Sequence, residues 1–221
     1  MKKTRKKSQP LFYTRKPRRP LSKKQKRKIK FLLPKYLLKK NVVDKKQLIL
    51  EIGSGYGENL IKIAKKNNKK SIIGCEVYEP AIANILEKIE DHKLENISIY
   101  PKNIFSLLKI LRKNSVEKIF ILYPDPWPKK RHYKRRLISQ FFLEKIYKIL
   151  QKKGLIFIAT DSQDYLQAIL IEFFSFKKFI WTNNKVSECF KRHKDLVQSK
   201  YEKKADIKGN KKFFLKFKKM C

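Results

Sequence analysis

The chain reads as an α/β protein built on a parallel sheet covered by helices, and three observations lead there. From Gln47 onward, short apolar runs alternate with amphipathic stretches of helical period, the pattern of strand–helix–strand units. The first run, Leu48-Ile49-Leu50-Glu51-Ile52, passes into Gly53-Ser54-Gly55-Tyr56-Gly57, so three of only 6 glycines fall in one strand-to-helix turn. Such a turn needs positive φ or a close approach of the backbone to a ligand. A later run, Ile119-Phe120-Ile121-Leu122, ends at Tyr123-Pro124-Asp125-Pro126-Trp127-Pro128-Lys129-Lys130-Arg131-His132. Three prolines make this a stiff strand-end loop that carries one carboxylate, one large aromatic and a cationic cluster, the composition of an active-site rim.

In chain order, residues 1–30 are dominated by Lys and Arg with scattered Pro and few apolar anchors, which predicts a mobile basic arm. It turns helical from Ser22, and Leu32, Leu33, Tyr36 and Leu37 dock its end on the domain formed by residues 31–221. Strands are expected at 47–52, 71–76, 97–101, 117–123 and 154–159, and helices at 57–67, 79–90, 104–112, 135–151 and 162–175, with loops short enough for βαβ units. Two further strands follow, from Lys177 to Trp181 and from Lys211 to Lys218, the last placing Phe213, Leu215 and Phe217 alternately with Lys212, Phe214, Lys216 and Lys218. The long polar connection between them is a candidate functional segment.

Composition narrows the partners. Lys and Arg number 57 against 19 Asp and Glu, a formal charge of +38 in 221 residues, which points to a polyanion, nucleic acid first. Part of that charge follows from a Lys-, Ile- and Asn-rich composition of the kind AT-rich codons favour, but its clustering around the proline loop does not. Cys75, Cys189 and Cys221 form no CxxC and cannot all pair, which argues against a disulfide framework or a zinc site and for a reducing, cytoplasmic compartment. No apolar stretch approaches the roughly 20 residues of a membrane span, and no signal segment is visible. No metal is expected.

The glycine turn suits a nucleotide-like ligand, whether a dinucleotide or S-adenosylmethionine. Two details favour the second. Glu51 lies inside the strand, where a carboxylate attracts a cationic amino-acid group, and the motif is Glu-x-Gly-x-Gly-x-Gly rather than Gly-x-Gly-x-x-Gly. Glu76 ends the second strand, where an acid accepts ribose hydroxyls in either ligand class. Asn103 follows the third strand and is placed either for an adenine edge or as a helix N-cap.

With both motifs read, the chain resembles the bacterial tRNA (guanine-N7-)-methyltransferases, a class I S-adenosylmethionine-dependent family. The matching segments are Leu50 to Gly57, Gly74-Cys75-Glu76-Val77, Pro124 to Arg136, Ala159-Thr160-Asp161 and Ser199-Lys200-Tyr201-Glu202, and the resemblance covers about residues 30–218. It implies a Rossmann-like sheet, mostly parallel with an antiparallel C-terminal strand and helices on both faces. It also implies methylation of guanine N7 at position 46 in the tRNA variable loop. Cofactor contacts then fall to Glu51, Gly53, Gly55, Gly57, Glu76, Asn103 and Asp125, and substrate contacts to Lys129, Arg131, Arg135, Arg136, Asp161, Ser199, Lys200, Tyr201 and Glu202. Asn103 and Ser199 stand where the family commonly has Asp and Thr, changes that keep a side-chain acceptor. No obligate protein partner is expected, the protein being a monomer or homodimer.

The chemistry is modest in its demands. Guanine N7 carries an in-plane lone pair, so neither a strong base nor a metal is needed, and positioning with electrostatics supplies the rate. Positive charge moves from sulfur to the purine, so a carboxylate helps only if it meets the alkylated guanine more strongly than the sulfonium. Asp125, the expected catalytic residue, or Asp161 would do so by accepting a hydrogen bond from guanine N1–H or the amino group. The basic residues from Lys129 to Arg136 would hold phosphates. Trp127 is suited equally to stacking on an unpaired base and to packing on the sheet. Two other readings remain at this point, an adenine or cytosine amino-methyltransferase and a non-catalytic RNA-binding protein on the same fold.

Overall fold

The structure is a computed structural model, and its described residues are 20–183, 185–194, 196–198, 200–207 and 209–220. Residues 1–19 of the basic arm, Ser199 and Cys221 lie outside them. A seven-stranded sheet organises the chain: β1 (Leu48–Ile52), β2 (Ile72–Cys75), β3 (Ile97–Tyr100), β4 (Val116–Leu122), β5 (Leu150–Thr160), β6 (Phe179–Trp181) and β7 (Phe213–Lys219), in the order β3-β2-β1-β4-β5-β7-β6. The first five strands pair in parallel, whereas β7 runs antiparallel between β5 and β6. Strand order reverses between β1 and β4, which opens a crevice at their carboxyl ends.

Burial on both faces explains the apolar runs. Along β1, Leu48, Leu50 and Ile52 face one core while Ile49 faces the other; Ile119 and Ile121 of β4 oppose Phe120 in the same way. The first core is closed by α5 (Ile104–Ile110), α6 (Gln140–Ile149) and α7 (Gln163–Phe176), the second by α1 (Lys23–Tyr36), α3 (Glu58–Lys66) and α4 (Glu79–Asp91). Short α2 (Lys40–Val43) leads into β1, and α8 (Lys200–Ile207) lies in the connection before β7. Phe120 and Phe157 stack at 4.9 Å on the second face. Strands buried on both faces read as continuous apolar runs, which is why the sheet was visible without any pairing information.

Three elements differ from expectation. The helix expected at 135–151 begins only at Gln140, where Ser139 accepts a hydrogen bond from the Phe142 N–H at 3.4 Å; residues 130–135 instead form a 3-10 turn. The strand expected at 154–159 starts at Leu150, directly after the helix. It reaches that length across a bulge where Lys153 has φ of 60° and the pairing with β4 shifts, and Gln151-Lys152-Lys153-Gly154 is turn-like in sequence. Finally, α1 is continuous through residue 30. Ser22 caps it in a reciprocal box with Gln25, and Lys24 and Lys28 pair with Glu87 of α4, so the part of the arm after Lys23 is packed on the domain.

Cys75 and Cys189 are free and buried. Among the described residues no helix is long and apolar enough to cross a membrane, and no cluster of His, Cys, Asp and Glu could hold a metal ion.

Candidate active site

A cavity of about 220 Å³ occupies the crevice at the strand ends. Its wall is made by Ile52, Gly53 and Gly55 at and beyond the end of β1, Cys75 and Glu76 at the end of β2, Asn103 after β3, and Tyr123, Asp125 and Trp127 after β4. The turn and the proline loop, 70 residues apart in sequence, thus face one space.

Glycine is required in the turn for backbone reasons. Gly53, Gly55 and Gly57 have φ of 73°, 53° and 80°, values that strain any residue with a Cβ. At Gly57 a Cβ would also stand 2.8 Å from Ile85 Cγ1, while at Gly53 it would meet nothing within 4 Å. Gly57 therefore closes the turn onto α4, and Gly53 leaves the cavity wall open.

The acids sit in contrasting settings. Glu51 is 2 % exposed; its Oε1 accepts a hydrogen bond from Asn59 Nδ2 at 2.8 Å, and its Oε2 is buried without a partner. Burial pushes this carboxyl up to about 8, with the Asn59 bond opposing. Glu76 accepts the Gly55 N–H at 2.7 Å on Oε2, and the Val77 and Tyr78 N–H groups at 2.8 Å each on Oε1. Burial raises its pKa and these three bonds hold it back. With two acceptor sites per oxygen, one position on Oε2 stays open. Asn103 is the N-cap of α5, its Oδ1 accepting the Phe105 N–H at 2.8 Å, and it also lines the cavity.

The proline loop is strained and anchored. Tyr123 and Trp127 both have positive φ, 53° and 44°, worth about 1–2 kcal/mol each for a residue with a Cβ. The Tyr123 N–H donates to Ala159 O at 2.8 Å, and its hydroxyl is buried without a partner. Arg135 lies 4.9 Å over the Trp127 ring and His132 meets the ring edge at 5.7 Å. Desolvation and then the neighbouring Arg135, Arg131, Lys129 and Lys134 hold the His132 imidazole below its ordinary pKa. Trp127 therefore packs against the cationic turn.

Placement of the other expected residues is uneven. Asp125, Lys129 and Arg131 are exposed on the rim, and Arg135 lines the cavity. Arg136 is not where a phosphate contact would be: it is 7 % exposed, its Nε donates to Pro126 O at 2.9 Å, and its guanidinium pairs with Asp164 and lies 3.7 Å from the Tyr133 ring. It ties the loop to α7. Asp161, at the end of β5, accepts from Asn210 Nδ2 at 3.1 Å.

Lys200 lies 4.4 Å over the Tyr56 ring, which brings the start of α8 to the glycine turn, whereas Glu202 is 2 % exposed and paired with Arg192 at 2.7 Å. That burial places Glu202 in an internal ion pair. Two residues had no role in the sequence reading: Tyr123, flagged only by its place before Pro124, and Asn59, a polar residue among the apolar positions of α3.

Comparisons with known proteins decide the family. A family model described as "Putative methyltransferase" matches residues 45–215. The tRNA (guanine-N(7)-)-methyltransferase of Buchnera aphidicola subsp. Baizongia pistaciae is 41% identical over 172 residues, 77% of this chain and 71% of that protein. The chain belongs to the tRNA (guanine-N7-)-methyltransferase family. Another member, from Rhizobium meliloti, is 32% identical over 219 residues, covering 93% of this chain and 94% of its own. Among solved structures, an antibiotic-related methyltransferase aligns with a TM-score of 0.56 at 20% identity over 83% of this chain and 95% of that one. The tRNA (m1A58) methyltransferase of Aquifex aeolicus aligns with a TM-score of 0.51 at 13% identity over 82% and 66%. These likenesses concern the fold, and the family's fold is the one described above.

Proposed function

We infer that this protein transfers a methyl group from S-adenosylmethionine to N7 of a guanine in tRNA, at position 46 of the variable loop. The observation that carries the reading is Asp125, a carboxylate on the wall of the crevice cavity, flanked by a cationic turn and opposite the glycine turn. The residues fit the cofactor. Glu51 Oε2 is a buried acceptor without a partner, Glu76 keeps one acceptor position, and Gly53 leaves the wall open.

When bound, the cofactor supplies an electrophilic methyl on a sulfonium. Glu51 would then hold the cationic amino group, Glu76 a ribose hydroxyl, and Asn103 the adenine edge through Nδ2, its Oδ1 being used as the cap. Asp125 would accept from guanine N1–H or the amino group, a bond that strengthens as the purine gains charge. Lys129, Arg131 and Arg135 would hold phosphates, and Asp161 with the segment 199–202 would position the substrate from the other side. The methyl donor and the base need no proton exchange before transfer, so the protein's task is alignment and charge stabilisation.

The test is transfer of labelled methyl to unmodified tRNA transcript, followed by reductive cleavage that cuts only at N7-methylguanine. Cleavage in the variable loop is the expected result; label on another base would overturn the reading.

The arm provides a second prediction. Residues 1–19 contain five lysines and four arginines. Deleting them is expected to weaken tRNA binding and reduce the slope of log affinity against log salt by about 3, since each neutralised phosphate contributes roughly 0.7–0.9. S-adenosylhomocysteine affinity stays as it was. A salt titration showing the full-length slope in the truncated protein would remove the arm from the interface.

A further inference from the structure

Asn59 is 3 % exposed in the first turn of α3, and both ends of its amide are engaged. Nδ2 donates to Glu51 Oε1 at 2.8 Å, and Oδ1 accepts the Val197 N–H at 3.4 Å. The reverse orientation would set the amide NH2 against an N–H and its carbonyl against a carboxyl oxygen, so the partners fix the flip. Val197 stands two residues before the segment 199–202. The same stretch is held to α3 by Lys62 Nζ donating to Leu196 O at 3.1 Å. Lys200 then rests on Tyr56 of the glycine turn. Of these three contacts, only that of Asn59 also touches the buried carboxyl.

We propose that Asn59 is a positioning residue that holds Glu51 for the cofactor's amino group and couples cofactor binding to placement of Leu196, Val197 and the start of α8. This rests on the reading of Glu51 given above. Burial acts most strongly on Glu51 and opposes the charged form, as do Glu58 and Glu76, while Asn59 and, more weakly, the Ser54 hydroxyl stabilise it. Near neutral pH the free protein therefore holds Glu51 largely protonated, the proton on Oε2 because Oε1 accepts from Asn59. Pairing with an ammonium releases that proton to solvent and leaves a carboxylate. The Asn59 donor bond then becomes charge-assisted and stronger. Strengthening it fixes Oδ1 towards Val197, so an occupied cofactor site holds the segment more firmly, and by reciprocity a bound tRNA favours the cofactor.

The experiment uses the full chain and S-adenosylhomocysteine, which carries the same amino group, as calorimetric probe from pH 6 to 9. tRNA affinity is measured with and without it. For the unaltered protein, probe affinity should rise with pH through a midpoint near pH 8, and the probe should tighten tRNA binding at least about fivefold. Asn59→Leu, which removes both bonds, should weaken the probe about tenfold at pH 7, move the midpoint up by about one pH unit and abolish the tRNA enhancement. Val197→Pro removes the segment's donor and stiffens its backbone without touching the Asn59–Glu51 bond; it should leave probe affinity and its pH profile unchanged and still abolish the enhancement.

An unaltered pH profile in a folded Asn59→Leu protein, or a retained enhancement in Val197→Pro, would overturn the proposal. Glu51→Gln separates the two levels. Undiminished probe affinity there sinks the Glu51 reading itself, whereas lost affinity there with normal affinity in Asn59→Leu sinks the role of Asn59 alone.

Discussion

Replacing Asp125 with alanine is expected to lower kcat for tRNA methylation about a thousandfold. A carboxylate about 4 Å from a developing positive charge near a protein surface is worth about 4 kcal/mol, and each 1.36 kcal/mol is tenfold in rate. The geometry distinguishes this residue from its rival. Asp125 faces the cavity, whereas Asp161 does not line its wall and already accepts from Asn210. Asp161→Ala is therefore expected to raise the KM for tRNA with a much smaller change in kcat. Single-turnover kinetics under saturating cofactor separates the two. Normal single-turnover rates in Asp125→Ala would remove charge stabilisation by this residue from the mechanism.

Arg136→Met is expected to lower kcat/KM about a hundredfold without changing the salt dependence of tRNA binding. The guanidinium anchors the loop through Pro126 O, pairs with Asp164, and lies 3.7 Å and 5.0 Å from the rings of Tyr133 and Tyr165. Its hydrogen bond and ion pair hold the Asp164 carboxyl below its ordinary range. Methionine keeps most of the volume and removes the tether. The strained backbone at Tyr123 and Trp127 then has one fewer restraint, and a misplacement of about 1 Å is enough for the stated loss. The melting temperature should fall by about 3–12 °C, since a hydrogen bond to a charged group contributes about 1.5–3 kcal/mol and each kcal/mol is about 2–4 °C at this size. Arg131→Ala, on the exposed side of the same turn, gives the contrasting result of a salt slope smaller by about 1 with near-normal kcat. A reduced slope in Arg136→Met would return that residue to the phosphate contacts.

The contrast between Arg131 and Arg136 marks where sequence reading stops. Both sit in one cationic run, and although Leu137 and Ile138 follow Arg136 directly, that local pattern does not name a partner for its guanidinium. What separates them is Asp164 and Tyr165, 28 and 29 residues further on, brought close when α7 packs on the sheet. Glu202 is similar: its place in a matching motif suggested a substrate contact, and its burial against Arg192 follows only from how α8 packs. The late start of α6 and the early start of β5 were hidden for a related reason. Ser139 as a cap and the bulge at Lys153 compete with stronger periodic signals on either side.

Local sequence was enough to specify the sheet, the glycine turn and the proline loop. Each depends on properties that act within a few residues: apolar runs for strands buried on both faces, positive φ for Gly53, Gly55 and Gly57, and fixed φ for Pro124, Pro126 and Pro128. Which charged groups face the cavity and which are internal depends on long-range packing. It made Glu51 a buried acid with one unpartnered oxygen, Asn59 its link to the distant segment, and Arg136 a tether. The reason is that the protonation and the role of a charged group follow from its burial and from the few groups within hydrogen-bonding distance, and those are set by long-range packing that no local pattern encodes.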